Sequence, residues 1–191
     1  MQRWVFNSHE SMIAAYIGLG SNLGKRRKNL LKAWARLGEV RGIKLVALSS
    51  PYISAPVGMQ STNWFINAAG SLQTTLQAEE LLAELLAVEA GLGRKRKMKG
   101  KPEDRPVDLD LLYWNDRVCN KPRLILPHPE IANRLFVLLP LTEIAPQKLH
   151  PVYKKTSLEM LQEYLAKQME TALDSDVKKT SWAIENIEVS G

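Results

Sequence analysis

The sequence has few of the residues that build disulfides and zinc sites. Its 191 residues include a single cysteine, Cys119, and only three histidines. One cysteine excludes an intramolecular disulfide and a cysteine-based zinc site, which favours a reducing compartment. The sequence also lacks an apolar run long enough for a transmembrane helix, and residues 1–11 lack the apolar stretch of a signal peptide. We therefore expect a cytoplasmic protein that does not bind membranes.

The composition is that of an ordinary globular protein. Apolar residues make up 45% of the chain and charged residues 24%, both close to the average for soluble domains. We find no internal repeat and no linker, and the length suits one domain with a sizeable core. We expect a single domain over 1–191 and a monomer, with a core over about 13–170 and extensions at 1–11 and at the far C-terminus.

The positive charge of the chain is concentrated in one segment. Seven basic and two acidic residues lie between Arg94 and Arg105, a net excess of five in a chain whose net charge is +6. Directly after it, Asp108 and Asp110 alternate with apolar residues, as in a strand with one polar face. An isolated Asp-x-Asp match would indicate only a solvated strand face. The adjoining basic segment instead favours a polyphosphate held between arginines and Mg²⁺, which takes one or two protein carboxylates together with phosphate oxygens.

The periodicity of the apolar residues predicts alternating strands and helices. Strands are predicted over 13–20, 43–50, 64–76 and 106–114, helices over 25–37, 77–92, 130–139 and 157–170, a hairpin over 118–126 and a long loop over 51–63. Residues 182–189 are predicted as a final strand or a tail. This order matches the split βαβ, ferredoxin-like plan, an α+β fold with helices packed on one face of an antiparallel sheet. The other face could then carry a site.

Three local patterns each allow two interpretations. The turn Gly20–Gly24 has neither dinucleotide-fingerprint nor Walker A spacing, so it either offers backbone N–H groups to a ligand or is simply a tight connection. Phe65 and Asn67 share one strand face, where they could hold a flat heterocycle or pack within a core. His128 follows a proline turn and either faces a polyphosphate or caps a helix.

Four segments together carry a resemblance to a known enzyme family. They are Gly18–Gly24, Phe65–Ala69, Gly93–Asp110, and Leu126–Pro129 followed by Arg134 and Phe136. In this order, over roughly residues 13–150, they resemble the 6-hydroxymethyl-7,8-dihydropterin pyrophosphokinases of folate biosynthesis. The resemblance implies a ferredoxin-like domain with two Mg²⁺ ions. Such an enzyme would transfer pyrophosphate from ATP to the hydroxymethyl oxygen of the pterin and give AMP.

The resemblance also implies a role for individual residues. Asp108 and Asp110 resemble the family's metal-binding aspartates, and Arg94 and Arg105 resemble its catalytic arginines over the polyphosphate. The implied pterin site consists of Ser54, Pro56, Val57, Phe65, Asn67 and Phe136, and the implied ATP site of Glu89, Arg96, Arg123, His128 and Arg134. The expected partners are therefore ATP and a dihydropterin.

The chain departs from the family pattern in one segment. Where the family has Trp-Gly-Pro-Arg, with the tryptophan folding over the site, this chain has Lys101-Pro102-Glu103-Asp104-Arg105 and is one residue longer. A paralogue with an altered pterin-like substrate is therefore an alternative. A nucleotide-sugar transferase would need a larger α/β domain, and an RNA-binding module would place aspartates against the phosphate backbone, so we expect no nucleic-acid partner.

Overall fold

The computed structural model describes residues 11–95, 103–171 and 177–183. The described strands are β1 (Ile13–Ser21), β2 (Ile43–Leu48), β3 (Tyr52–Ser54), β4 (Phe65–Thr74), β5 (Asp108–Trp114), β6 (Cys119–Lys121), β7 (Leu124–Leu126) and β8 (Val177–Lys179). The described helices are α1 (Arg26–Gly38), α2 (Ala78–Gly91), α3 (Leu135–Ile144) and α4 (Ser157–Thr171). None of these helices combines the length and the apolar character that crossing a membrane requires.

The strands form one large antiparallel sheet and one hairpin. The sheet has the order β5-β1-β4-β3-β8, and β2 pairs with the half of β4 that β3 leaves open. Strand β1 lies between β4 and β5 in the sheet. Helix α1 connects β1 to β2, and α2 connects β4 to β5. This is the predicted ferredoxin-like α+β arrangement, which the structure confirms. The predicted hairpin is confirmed as β6 and β7.

Helices pack on both faces of the sheet, whereas the sequence predicted them on one face. Leu30 of α1 and Leu85 of α2 pack in one apolar cluster with Ala68 of β4. The next residue, Ala69, belongs to a second cluster with residues of α3 and α4. Successive side chains of a strand point to opposite faces. Helices α3 and α4 therefore cover part of the second face, and the rest of that face is open for a site.

A β-bulge extends this second cluster. The pairing of β1 with β5 shifts between Tyr16 and Ile17, which pair with Tyr113 and Leu111. Leu112 is the extra residue, and both it and Tyr113 lie in the second cluster. A bulge changes which face the following side chains reach. Strand β5 can thus place its aspartates over the open part of the face and Tyr113 against the helices.

Two predicted elements differ in detail. The predicted loop over 51–63 contains the short strand β3, in which Ile53 pairs with Ile66 of β4. The predicted helix over 130–139 is instead a 3-10 turn over Ile131–Asn133, followed by α3. Arg134 separates the two with extended backbone angles, φ −128° and ψ 110°.

The C-terminal segment belongs to the large sheet. Strand β8 pairs with β3, and the backbone N–H of Thr180 donates to the carbonyl of Pro51 at 2.8 Å. The indole of Trp182 donates to the carbonyl of Ser49 at 2.9 Å. The sequence predicted a final strand or a tail further along the chain, over 182–189, and residues 184–189 of that range lie outside the described residues. The segment supports β3 from its outer edge.

Candidate active site

Two glycines of β1 form the floor of a cavity on the open face. Gly20 pairs with Asn67 on one side and Asp108 on the other, and Gly18 pairs with Asp110. A Cβ atom at Gly20 would lie 3.3 Å from Oδ1 of Asn67, a tight contact. Because glycine has no side chain, the neighbouring polar groups can converge above β1. The sequence predicted both glycines within the strand 13–20, with Gly20 also opening the turn Gly20–Gly24, but it did not predict that they form the floor of a site. Their spacing of two residues, which places both on one face of the strand, was the available signal.

The cavity encloses about 860 Å³ including its open mouth. Residues from β1, β3, β4 and β5, from the loop after β3 and from the start of α3 line it. The predicted site residues that it brings together are Ser54, Val57, Phe65, Asn67, Arg105, Asp108, Asp110, Arg134 and Phe136. Met59 and Leu112 also line the cavity and were not predicted. Most of the predicted pterin, metal and arginine residues therefore share one cavity.

An arginine and carboxylate cluster lies at one end of the cavity. Asp108 forms ion pairs with Arg94 and, at 2.6 Å, with Arg105. Arg94 also contacts Glu89, whose side chain is 1% exposed and accepts a 2.7 Å hydrogen bond from the backbone N–H of Leu109. Glu89 therefore lies behind β5 and holds Arg94, and it is not part of the cavity lining.

The second aspartate is crowded by the first. Burial, and then the charge of Asp108, raise the pKa of Asp110 to about 6, against the opposing effect of the nearby arginines. A divalent cation would relieve this repulsion, because it favours the charged form of both carboxylates. Among the described residues there is no group of three or more His, Cys, Asp and Glu side chains suited to a metal. Two carboxylates completed by phosphate oxygens are a donor set that Mg²⁺ accepts, so the residues fit this ion.

Each of the two predicted aromatic rings has an arginine over it. The guanidinium carbon of Arg105 lies 5.2 Å from the ring centre of Phe65, and that of Arg134 lies 5.7 Å from the ring centre of Phe136. Such cation–π contacts are modest in strength and can be exchanged for another flat partner. The arrangement therefore links the aromatic part of the cavity to its cationic part.

A buried amide lies beside the Phe65 ring. The Nδ2 group of Asn67 donates a 2.9 Å hydrogen bond to Oγ of Ser54, and both residues are buried. This bond connects β4 to β3 and holds the amide in place at the cavity wall. A fixed amide at the cavity wall can select the hydrogen-bonding edge of a flat ligand.

His128 lies near the cavity and is not part of its lining. Its backbone N–H donates to the carbonyl of Leu112 at 3.0 Å, and its Nδ1 accepts from the backbone N–H of Glu130 at 3.2 Å. Burial, and then the positive charge of Arg134, lower the pKa of His128. A neutral imidazole that accepts at Nδ1 carries its proton on Nε2.

The remaining predicted residues are not among those lining the cavity. Pro56 lies between two lining residues, Ala55 and Val57. Arg123 is exposed in the turn between β6 and β7. Arg96 lies outside the described residues. Arg94 is also not among the lining residues, and it pairs with Asp108, which is. The roles predicted for the site residues, inside and outside the lining, all stay predictions.

Comparison with known proteins places the chain in one family. A sequence model described as 7,8-dihydro-6-hydroxymethylpterin-pyrophosphokinase (HPPK) matches residues 16–146. A 2-amino-4-hydroxy-6-hydroxymethyldihydropteridine pyrophosphokinase of Methylorubrum extorquens is 42% identical over 135 residues, which are 71% of this chain and 84% of the relative. The folic acid synthesis protein fol1 of Pneumocystis carinii is 38% identical over 165 residues, 86% of this chain.

Some of the similar proteins are much longer than this chain. The match spans only 21% of the Pneumocystis protein. The crystal structure of Plasmodium falciparum HPPK-DHPS with pteroate superposes with a TM-score of 0.72 and covers 88% of this chain and 48% of its own. Its sequence identity is 13%, so this likeness concerns the fold.

Proposed function

Because the chain belongs to the family of 7,8-dihydro-6-hydroxymethylpterin-pyrophosphokinases, we propose that it transfers pyrophosphate from ATP to 6-hydroxymethyl-7,8-dihydropterin. The products are AMP and the pterin diphosphate, an intermediate of folate biosynthesis. One observation carries the proposal: a single cavity contains the paired carboxylates, two arginines and the pocket of aromatic and amide groups. All the assigned residues come from one chain, so a monomer suffices.

The aromatic and amide end of the cavity would hold the pterin. The pterin ring stacks against Phe65 and Phe136 and displaces the arginines that cover them in this structure. Asn67, oriented by Ser54, hydrogen-bonds the edge of the ring. The displaced arginines then reach the phosphates of ATP.

The charged end of the cavity would hold ATP. Asp108 and Asp110 are the proposed ligands of two Mg²⁺ ions, which would neutralise charge on the phosphates and orient them. Arg94, Arg105 and Arg134 bind the polyphosphate, because their guanidinium groups match its oxygens in geometry and charge. Neutral His128 can donate from Nε2 to a phosphate oxygen.

The chemical step needs positioning and charge neutralisation more than a covalent group. The hydroxymethyl oxygen bonds to the β-phosphorus, the bond from that phosphorus to the bridging oxygen of the α-phosphate breaks, and AMP leaves with the electron pair. The hydroxyl proton passes to solvent. Phosphoryl-type transfer depends mainly on alignment and electrostatic stabilisation. Arg105, beside Asp108 and over Phe65, lies between the two proposed substrate sites and can stabilise the charge that develops.

The direct test is AMP formation from ATP and Mg²⁺, with and without 6-hydroxymethyl-7,8-dihydropterin. We expect pterin-dependent AMP from the wild type and none from Asp108→Ala. The variant should remain folded, because the Asp108 side chain is partly exposed and its loss leaves Arg94 paired with Glu89.

Two outcomes would count against the proposal. A folded wild-type protein that binds ATP without forming AMP would favour the paralogue with an altered substrate. Salt-dependent RNA binding without ATP binding would instead favour a nucleic-acid-binding module.

Asp110→Asn is a second variant for the metal site, because it keeps the shape of the side chain and removes its charge. The Mg²⁺ concentration that gives half-maximal AMP formation should be higher in this variant than in the wild type.

A further inference from the structure

One carboxylate connects two segments that each contribute residues to the cavity wall. Oδ1 of Asp104 accepts hydrogen bonds from Nδ2 of Asn22 and Oγ of Ser61, both at 2.6 Å. Oδ2 accepts from Nδ2 of Asn63. Ser61 and Asn63 belong to the loop 55–64, which also contributes residues to the cavity wall. We call these four side chains the Asp104 cluster.

The cluster continues into the backbone of the catalytic segment. Asn22 is 3% exposed, and its backbone N–H donates to the carbonyl of Arg105 at 3.2 Å. Its Oδ1 accepts from the backbone N–H of Arg105 at 2.8 Å. The Asn22 amide must therefore turn its oxygen to Arg105 and its NH₂ group to Asp104. The Asp104 carboxylate selects this orientation, because it can only accept hydrogen bonds when ionised.

Asp104 is ionised at neutral pH, because its hydrogen bonds lower its pKa. The hydrogen bond from Ser61 contributes most to lowering its pKa, with further contributions from Asn63 and Asn22 that together outweigh the effect of burial. Charge-assisted hydrogen bonds of this kind are stronger than neutral ones. The cluster is therefore a stable connection at neutral pH.

The side chain of Arg105 depends on this connection. Its guanidinium lies 2.6 Å from Oδ2 of Asp108 and 5.2 Å from the Phe65 ring centre. The side chain begins at the backbone that Asn22 holds, so this connection sets the position from which the guanidinium reaches the charged end of the cavity. A displacement of about 1 Å in a reacting arrangement can cost about 100-fold in rate.

We propose that Asp104 is a positioning residue that ties the loop 55–64 to the segment 103–107 and, through Asn22, holds Arg105 in place. The inference rests on the role proposed above for Arg105. It also concerns the segment in which the sequence departs from the family pattern, where Asp104 directly precedes Arg105. In this chain the Asp104 cluster holds together the loop 55–64 and the segment 103–107.

Hydrogen exchange tests the connection without using activity. In Asp104→Ala, the backbone amides of Asn22 and Arg105 should exchange faster than in the wild type, while amides in α1 and α2 stay unchanged. The matched control is Glu79→Gln, because Glu79 is a carboxylate outside the cavity that also accepts several side-chain hydrogen bonds. Unchanged exchange at both amides in Asp104→Ala would overturn the proposal.

Steady-state kinetics test the consequence for the reaction. We expect Asp104→Ala to lower kcat by about 10- to 100-fold and Glu79→Gln to leave it unchanged. Asp104→Asn should lose less, because it keeps the oxygen that accepts from Asn22 and Ser61. In an Arg105→Ala background, the further change Asp104→Ala should have little effect.

The kinetic outcomes separate the two proposals. Full additivity of Asp104→Ala and Arg105→Ala would show that Asp104 does not act through Arg105 and would overturn the positioning role. A wild type without pterin-dependent AMP would refute the proposed function, while the exchange experiment would still decide whether Asp104 connects the loops.

Discussion

Replacing Arg105 by alanine should separate catalysis from stability. In the structure its guanidinium pairs with Asp108 at 2.6 Å and covers the Phe65 ring. Asp108 keeps its ion pair with Arg94 after the change, so no carboxylate is left without a cation. The proposed pterin and metal ligands all remain. The variant should therefore fold and bind the pterin, and Arg94 and Arg134 remain to bind the phosphates of ATP.

The expected effects of Arg105→Ala on stability and on kcat differ enough in size to be told apart. The side chains of the Arg105 and Asp108 pair are 22% and 16% exposed. A partly exposed pair of this kind contributes at most about 1 kcal/mol to the free energy of unfolding, which corresponds to a Tm change of about 2–4 °C for a chain of this length. Loss of a donor that stabilises charge in the transition state costs about 100- to 1,000-fold in kcat. Arg105→Lys should lose less, because it keeps the charge without the planar fork.

The assay is pterin-dependent AMP formation, measured together with thermal unfolding. Arg117→Ala is the control, because Arg117 pairs with Glu79 at 2.8 Å and lies 5.6 Å from the Trp114 ring centre, a similar environment outside the cavity. The control should retain its kcat. A kcat within about threefold of the wild type in Arg105→Ala, from a folded protein, would refute the catalytic role of Arg105.

Three further predictions follow from buried or paired groups. Gly70→Ala would place a Cβ 2.4 Å from the Trp34 ring, so it should cost about 1–3 kcal/mol in urea unfolding, and an unchanged midpoint would contradict this packing. Burial lowers the pKa of His128, so its NMR titration midpoint should lie below 6.5, and a higher midpoint would contradict a neutral Nε2 donor. Burial opposes ionisation of Glu143, but hydrogen bonds from Ser50 and Tyr52 outweigh it and lower the pKa below 4.5. Ionised Glu143 should therefore stabilise the fold fully above pH 4.5, and this contribution should be lost as the pH falls through the folded pKa. The free energies of unfolding of Glu143→Gln and the wild type should differ at about pH 6 and converge in acid. A constant difference would contradict that sign.

Much of the site was accessible from local patterns. Alternation along a strand placed Asp108 and Asp110 on one face and Phe65 with Asn67 on another strand's face, and the structure brings all four into one cavity. Helices α1, α2 and α4 followed from the spacing of their apolar residues, within one or two residues at each end. These features depend on a few neighbouring residues, so their signal is local.

Other features depend on partners that are distant in sequence. Strand β3 has only three residues and is defined by its pairing with β4 and β8. The break at Arg134 and the packing of α3 on the second face follow from tertiary contacts, and helical periodicity alone predicted one continuous helix there. Neither could be deduced from the residues of the segment itself.

The sequence by itself determined the fold class and which strand residues share a face, because alternation and helical spacing decide this. Its motifs carried the resemblance to the family, and that resemblance implied most of the groups in the cavity. Only the tertiary structure decided how those groups contact one another. Glu89 lies behind Arg94, an arginine covers each of the two predicted rings, and Asp104 accepts hydrogen bonds from Asn63 and Asn22, which lie 41 and 82 residues away in the sequence. Such contacts arise when the sheet brings distant segments together. Sequence patterns cover only neighbouring residues, so they cannot predict these contacts.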